Sequence, residues 1–113
     1  MLVLNRFAVP PEDQDGFLPQ AHAALAALAT CSGYLSGRLT RALEDPATWI
    51  LATEWESVGA YRRALGAFDV KVNATPLLAR SVDEPSAFET LAAAAPGGPV
   101  EVAESDRAAD PWR

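Results

Sequence analysis

Three observations predict an α+β fold of the ferredoxin-like kind, with elements in the order β-α-β-β-α-β. Leu2–Val9 and Trp49–Glu56 alternate their side chains with period two and are rich in β-branched and aromatic residues, as strands are. Glu12–Thr30 and the stretch after Ser57 carry apolar residues at helical spacing. Tyr34–Ala42 alternates again and is joined to Trp49–Glu56 through Glu44-Asp45-Pro46, a turn signal that makes the two an antiparallel hairpin. Strand, helix, hairpin, helix and a closing strand compose the split-βαβ arrangement.

Each element has a local cause. The first strand puts Val3, Asn5, Phe7 and Val9 on one face and Leu2, Leu4, Arg6 and Ala8 on the other, and Pro10-Pro11 ends it because proline cannot donate to a ladder. Helix one is acidic at its start and alanine-rich in its body, with Phe17, Ala21, Leu25 and Leu28 inward and Leu18 and Ala24 beside them. Pro19 requires either a start near Asp15 or a kink. Ser32-Gly33 stops the helix. In strand two, Leu35 and Leu39 are expected opposite Tyr34, Ser36, Arg38 and Thr40. In strand three, Trp49, Leu51, Thr53 and Trp55 share one face and Ile50, Ala52 and Glu54 the other. Ser57 is a good N-cap, and Val58, Tyr61, Leu65 and Phe68 form the expected inner stripe of helix two, with Arg62 and Arg63 facing water. Short helical turns are expected over Asp69–Arg80, because Pro76 interrupts any long helix. Ala87–Ala92 is the last strand candidate.

The 113 residues make one domain over 1–94, followed by an acidic, Pro/Gly-rich tail over 95–113, of which residues 97–113 are expected to be dispensable for fold and assembly. Fifteen acids against nine bases give a net charge of −6, which argues against nucleic acid or an anionic membrane as partner. No apolar run is long enough for a membrane span, and the start of the chain lacks the pattern of a signal peptide, so a cytoplasmic location is expected. One cysteine and one histidine exclude an internal disulfide and a nitrogen- and sulfur-ligated zinc site within one chain; no metal is expected. Helices of a ferredoxin-like unit cover one sheet face, which leaves Leu2, Leu4 and Ile50 in water. Each side chain so exposed forfeits about 1.5–3 kcal/mol of burial. A second copy packed sheet against sheet removes that cost, so a homodimer is expected.

Few residues offer chemistry. Asn5 is polar in mid-strand, where asparagine is depleted; it is either a strand asparagine bonded to backbone or water, or a pocket residue whose partner is a ligand. Trp55 is either a core aromatic or a pocket wall, and Tyr61 divides in the same way. His22, on the flank of helix one, reads as structural, and Cys31, beside no cation or helix start, as an inert thiol. Phosphate-loop, dinucleotide and Ser/His/Asp signatures are missing.

Asn5-Arg6 in strand one, Ser32-Gly33-Tyr34 opening strand two, Thr53-Glu54-Trp55-Glu56-Ser57 followed by Ala60-Tyr61, and Ser86-Ala87-Phe88-Glu89 near the end together resemble the antibiotic biosynthesis monooxygenase family over residues 2–92. The resemblance implies ferredoxin-like subunits paired into a dimeric α+β barrel. It also implies a cofactor-independent monooxygenase that uses dioxygen on an aromatic polyketide-like substrate, an anthrone or phenol. In this family an asparagine on strand one and a tryptophan ending strand three line the pocket, and Asn5 and Trp55 fall at those places as catalytic candidates. Tyr61 is a looser match to a pocket tyrosine, and Phe7 and Leu51, on the same faces, are substrate-contact candidates. Haem-degrading members carry a histidine after helix two, where this chain reads Asp69-Val-Lys-Val-Asn-Ala-Thr-Pro76. That departure argues against haem, and no cofactor is expected. The alternative from another class is a non-catalytic dimeric module that binds a hydrophobic small molecule or a partner, with a haem-degrading monooxygenase as the third reading.

Overall fold

A computed structural model of the chain describes residues 1–105; residues 106–113, the end of the expected tail, lie outside the described residues. The elements run β1 (Leu2–Ala8), a 3-10 turn (Pro11–Asp13), α1 (Gln14–Ala29), β2 (Tyr34–Arg41), β3 (Thr48–Trp55), α2 (Val58–Leu65), α3 (Phe68–Asn73), α4 (Thr75–Leu78), β4 (Ala87–Phe88), β5 (Ala92–Ala93) and β6 (Glu101–Val102). The main sheet is antiparallel in the order β2-β3-β1-β4. β3 therefore lies inside the β1-α1-β2 crossover and β1 inside the β3-α2-β4 crossover, which is the ferredoxin-like topology expected from the element order.

Register follows the hydrophobic pattern. Asn5 stands opposite Leu51, Phe7 opposite Trp49 and Val3 opposite Thr53, and these residues are buried under the helices. Against them α1 lays Phe17, Ala21, Ala24, Ala27 and Leu28. α1 begins at Gln14, which places Pro19 inside the helix rather than in its first turn. Pro19 is exposed, so water can reach the backbone carbonyl that lost its donor.

The opposite sheet face carries Leu2, Leu4, Ile50 and Ala52 with no helix over them; Leu2 is 40% exposed. A shallow concavity of about 300 Å³ there has Leu2, Leu4 and Ala52 as its apolar lining and Ser36, Arg38 and Glu54 as its polar lining.

Three expectations are corrected. First, β2 is irregular between Tyr34 and Ser36: Tyr34 pairs with Trp55, yet Ser36 pairs with Glu54. The extra residue, Leu35, is exposed, and the bulge turns Tyr34 to the same side as Leu39 instead of opposite it. Second, Phe68 does not extend the inner stripe of α2. Gly66 caps that helix, the extended backbone of Ala67 (ψ 141°) breaks it, and Phe68 opens α3 with its ring in water. Ala60 and Ala64 are the buried residues of α2, with Tyr61 and Leu65 half-buried beside them. Third, the strand expected over Ala87–Ala92 is split. The chain follows the edge of β1 from Val82, whose N–H donates to Arg6 O, to Ser86, whose carbonyl accepts from Leu4 N–H, each at 2.7 Å. It then forms β4 and leaves to pair β5 with β6 as a separate ribbon. The domain boundary read at 94/95 falls within that ribbon, whose second strand belongs to the segment read as a tail.

No helix among the described residues is long and apolar enough to cross a membrane, and no cluster of three or more His, Cys, Asp or Glu suited to a metal ion occurs among them.

Candidate functional site

The end of β3 organises the candidate site. Trp55 is fully buried, and its backbone is tied on both sides: its N–H donates to Met1 O at 2.9 Å, and the nitrogen of Met1 donates to Trp55 O at 2.8 Å. Its indole Nε1 donates to the Thr53 hydroxyl at 2.8 Å, inside the core. Tyr34 meets the indole edge-on with ring centroids 5.4 Å apart, and Tyr61 meets it at 5.5 Å with a 55° tilt. Such aromatic contacts contribute about 0.5–1.5 kcal/mol each beyond burial. Two backbone features make the cluster possible. The bulge at Leu35 aims Tyr34 inward, and Gly37 leaves the space that the Tyr34 hydroxyl and Leu25 occupy, which a Cβ would fill.

α2 is placed by its own start. Ser57 accepts from Ala60 N–H at 3.1 Å as N-cap. Gly33, with φ 88°, brings the turn before β2 so close to Ala60 that a Cβ at position 33 would collide with the Ala60 methyl. Glu56 N–H donates to Gly33 O at 2.8 Å and closes the junction. Tyr61 is thereby held against Trp55. Burial pushes its hydroxyl pKa above the ordinary tyrosine value, so it is a neutral hydrogen-bond donor at physiological pH.

Asn5 lies on the same helix-facing side of the sheet, directly opposite Leu51 and 9% exposed. Its carboxamide has no hydrogen-bond partner among the described residues. Leu51 and Phe7, 0% and 3% exposed, complete the layer. The five residues singled out from the sequence thus share one layer between sheet and helices. The direct contact is between Trp55 and Tyr61; Asn5 and Leu51 are cross-strand neighbours. Phe7 leans the other way, with its ring 5.4 Å from Phe17, which in turn touches Trp49 at 5.6 Å. The Trp49 Nε1 is buried without a partner among the described residues. Val70 of α3, Ala74 between the two helices and Leu77 of α4 are buried in the same core.

Sequence reasoning missed Tyr34, because the bulge is invisible in the alternation, and Thr53, whose hydroxyl looked like ordinary strand chemistry. Arg62 and Arg63 are exposed, as expected. His22 is exposed on α1. The thiol of Cys31 donates to Ala27 O at 3.6 Å at the end of α1, which fits a structural thiol.

An antiparallel sheet in this strand order, with helices on one face and an aromatic cluster at the end of β3, defines a ferredoxin-like α+β protein. The family model for antibiotic biosynthesis monooxygenase matches residues 1–71, and the chain belongs to that family. Solved structures share the fold. A conserved protein from Methanosarcina mazei superposes with a TM-score of 0.63 at 20% identity, covering 76% of this chain and 84% of the other. A mutant of SnoaB, a cofactor-independent oxygenase from Streptomyces nogalater, gives 0.61 at 26% identity over 72% and 82% of the two chains. Rv0793 from Mycobacterium tuberculosis gives 0.61 at 17% identity over 96% and 97%. No protein of the curated set matches the chain.

Proposed function

We propose that the chain is a monooxygenase acting without metal, flavin or haem on an electron-rich aromatic substrate of anthrone or phenol type. The observation that carries this reading is the unpartnered carboxamide of Asn5 on the sheet face that also holds Trp55. Among the described residues the side-chain polar atom buried without a partner is Trp49 Nε1, so the Asn5 carboxamide keeps a contact with solvent that a ligand at this position would replace. Likeness to a cofactor-independent oxygenase supports it, as does the absence of histidine from Asp69–Pro76.

The chemistry asked of the protein is modest. The deprotonated substrate transfers one electron to dioxygen, and the resulting radical and superoxide combine at the ring carbon to give a hydroperoxide after protonation. Loss of water leaves a carbonyl. One dioxygen converts a CH₂ into C=O, and its second oxygen leaves as water. Asn5 donates a hydrogen bond to the substrate oxyanion. Trp55 presents its ring face, since its N–H is held by Thr53. Tyr61, Phe7 and Leu51 pack against the rings and keep water out. Trp55 is fully buried against Tyr34 and Tyr61, so admission of a flat substrate requires local opening of that packing.

The assembly proposed with this activity is a homodimer through the face bearing Leu2, Leu4, Ile50 and Ala52, which no helix covers. The experiment for the activity is oxygen uptake with 1,8-dihydroxyanthrone, corrected for its uncatalysed oxidation. Formation of the anthraquinone with one dioxygen consumed per substrate supports the oxygenase. Binding of the anthrone with no acceleration leaves the second reading, a binding module.

A further inference from the structure

A cleft of about 470 Å³ lies between the first turns of α2 and the edge strand β4, lined by Met1, Val58, Arg62, Ala87, Phe88 and Glu89. Its volume falls within the range of small-molecule sites. Val58 and Arg62 are four residues apart and share one side of α2. Phe88 is 43% exposed, a large aromatic surface left in water. The guanidinium of Arg62 has no ion pair or hydrogen bond among the described residues. The carboxylate on the opposite rim, Glu89, accepts from the Ser105 hydroxyl at 2.6 Å.

The cleft adjoins the aromatic cluster. Met1, which lines it, is bonded to the backbone of Trp55 in both directions and packs against the core. Tyr61, next to Arg62, touches the Trp55 ring. An unbranched methionine is an adaptable wall between the cleft and the packed core around Trp55.

We propose that this cleft is a binding site for a planar aromatic anion, with Arg62 pairing its carboxylate or phenolate and Val58 and Phe88 holding its rings. The proposal rests on the oxygenase reading for its purpose. That reading calls for a substrate in its anionic form and has no strong base near Asn5. A cation next to a phenol favours the ionised form, so Arg62 selects, at the approach to Trp55, the species that yields an electron to dioxygen. The guanidinium holds such a group through a planar fork of donors that a lysine lacks.

The test uses the full chain and two probes, anthraquinone-2-carboxylate and the neutral 2-(hydroxymethyl)anthraquinone, titrated by calorimetry. Arg62→Gln is expected to weaken the acid about tenfold, the loss of roughly one charge-assisted contact, and to leave the neutral probe within about twofold. Val58→Trp, which fills the cleft, is expected to weaken both. Arg63→Gln, one residue on and lining a different concavity with Cys31, is expected to change neither. Equal affinity of wild type and Arg62→Gln for the acid, or wild-type binding unaffected by Val58→Trp, overturns the site. Oxygen uptake separates the two readings. Arg62-dependent binding without turnover keeps the cleft and removes the oxygenase, whereas turnover with an unchanged KM in Arg62→Gln keeps the oxygenase and removes the cleft.

Discussion

The indole Nε1 of Trp55 donates to the hydroxyl of Thr53, two residues earlier on the same face of β3, at 2.8 Å. The bond fixes the ring plane that Tyr34 and Tyr61 meet. Thr53→Val keeps the shape and removes the acceptor, leaving a buried N–H unpaired. A loss of about 1–3 kcal/mol is expected in urea denaturation, with Thr53→Ser retaining most of the stability.

Asn5→Ala is expected to abolish turnover of 1,8-dihydroxyanthrone at a stability cost below about 1 kcal/mol, because the carboxamide bonds to no described residue. Denaturation and oxygen uptake on the same preparation check this. A variant that unfolds, yet is active per folded molecule, makes Asn5 a structural residue.

Much of this buried layer was legible in the sequence. Alternation placed Asn5, Phe7, Leu51 and Trp55 toward the helices, since a half-buried strand has only two faces and the register between β1 and β3 follows from which of them is apolar. Ser57 announced α2 because its side chain replaces a missing backbone acceptor. Tyr34 was misplaced because one inserted residue reverses parity without any change in composition. Phe68 was misplaced because it continues the 3.6-residue spacing across Gly66 and Ala67, where the backbone no longer continues the helix. The β5–β6 ribbon was hidden by its alanine and proline content, which reads as tail.

Gly33→Ala is expected to cost about 2–5 kcal/mol. An alanine at positive φ is strained by roughly 1–2 kcal/mol, and its methyl would overlap the Ala60 side chain, an overpacking of about 1–3 kcal/mol. The denaturation midpoint should fall with an unchanged slope.

The raised pKa of Tyr61 predicts a pH signature. Its ordinary value is about 10, and burial raises it in the folded state. Above the unfolded value the unfolded chain releases the proton first. The stabilising difference is therefore complete below about pH 10 and is lost as pH rises through the folded value. Tyr61→Phe should flatten the alkaline fall in stability and leave the neutral plateau with its own constant offset, as read by denaturation across pH 8–11.

Leu4→Asp is expected to yield a folded monomer in light scattering, because Leu4 sits on the sheet face without helices and opposes Ala52 across the β1–β3 pair. An unchanged dimer would place the interface elsewhere.

The contact between Gly33 and Ala60 divides the walls around Trp55 into one that is pinned and one that is adjustable. α2 cannot be drawn back or pushed forward at its first turn without breaking the Ser57 cap or the junction with β2. Rearrangement of the helical layer is then left to residues 66–79, where two short helices meet at Ala74 without side-chain caps. Selection of this scaffold for bulkier substrates should accumulate its changes in that stretch and leave Gly33, Ser57 and Ala60 untouched.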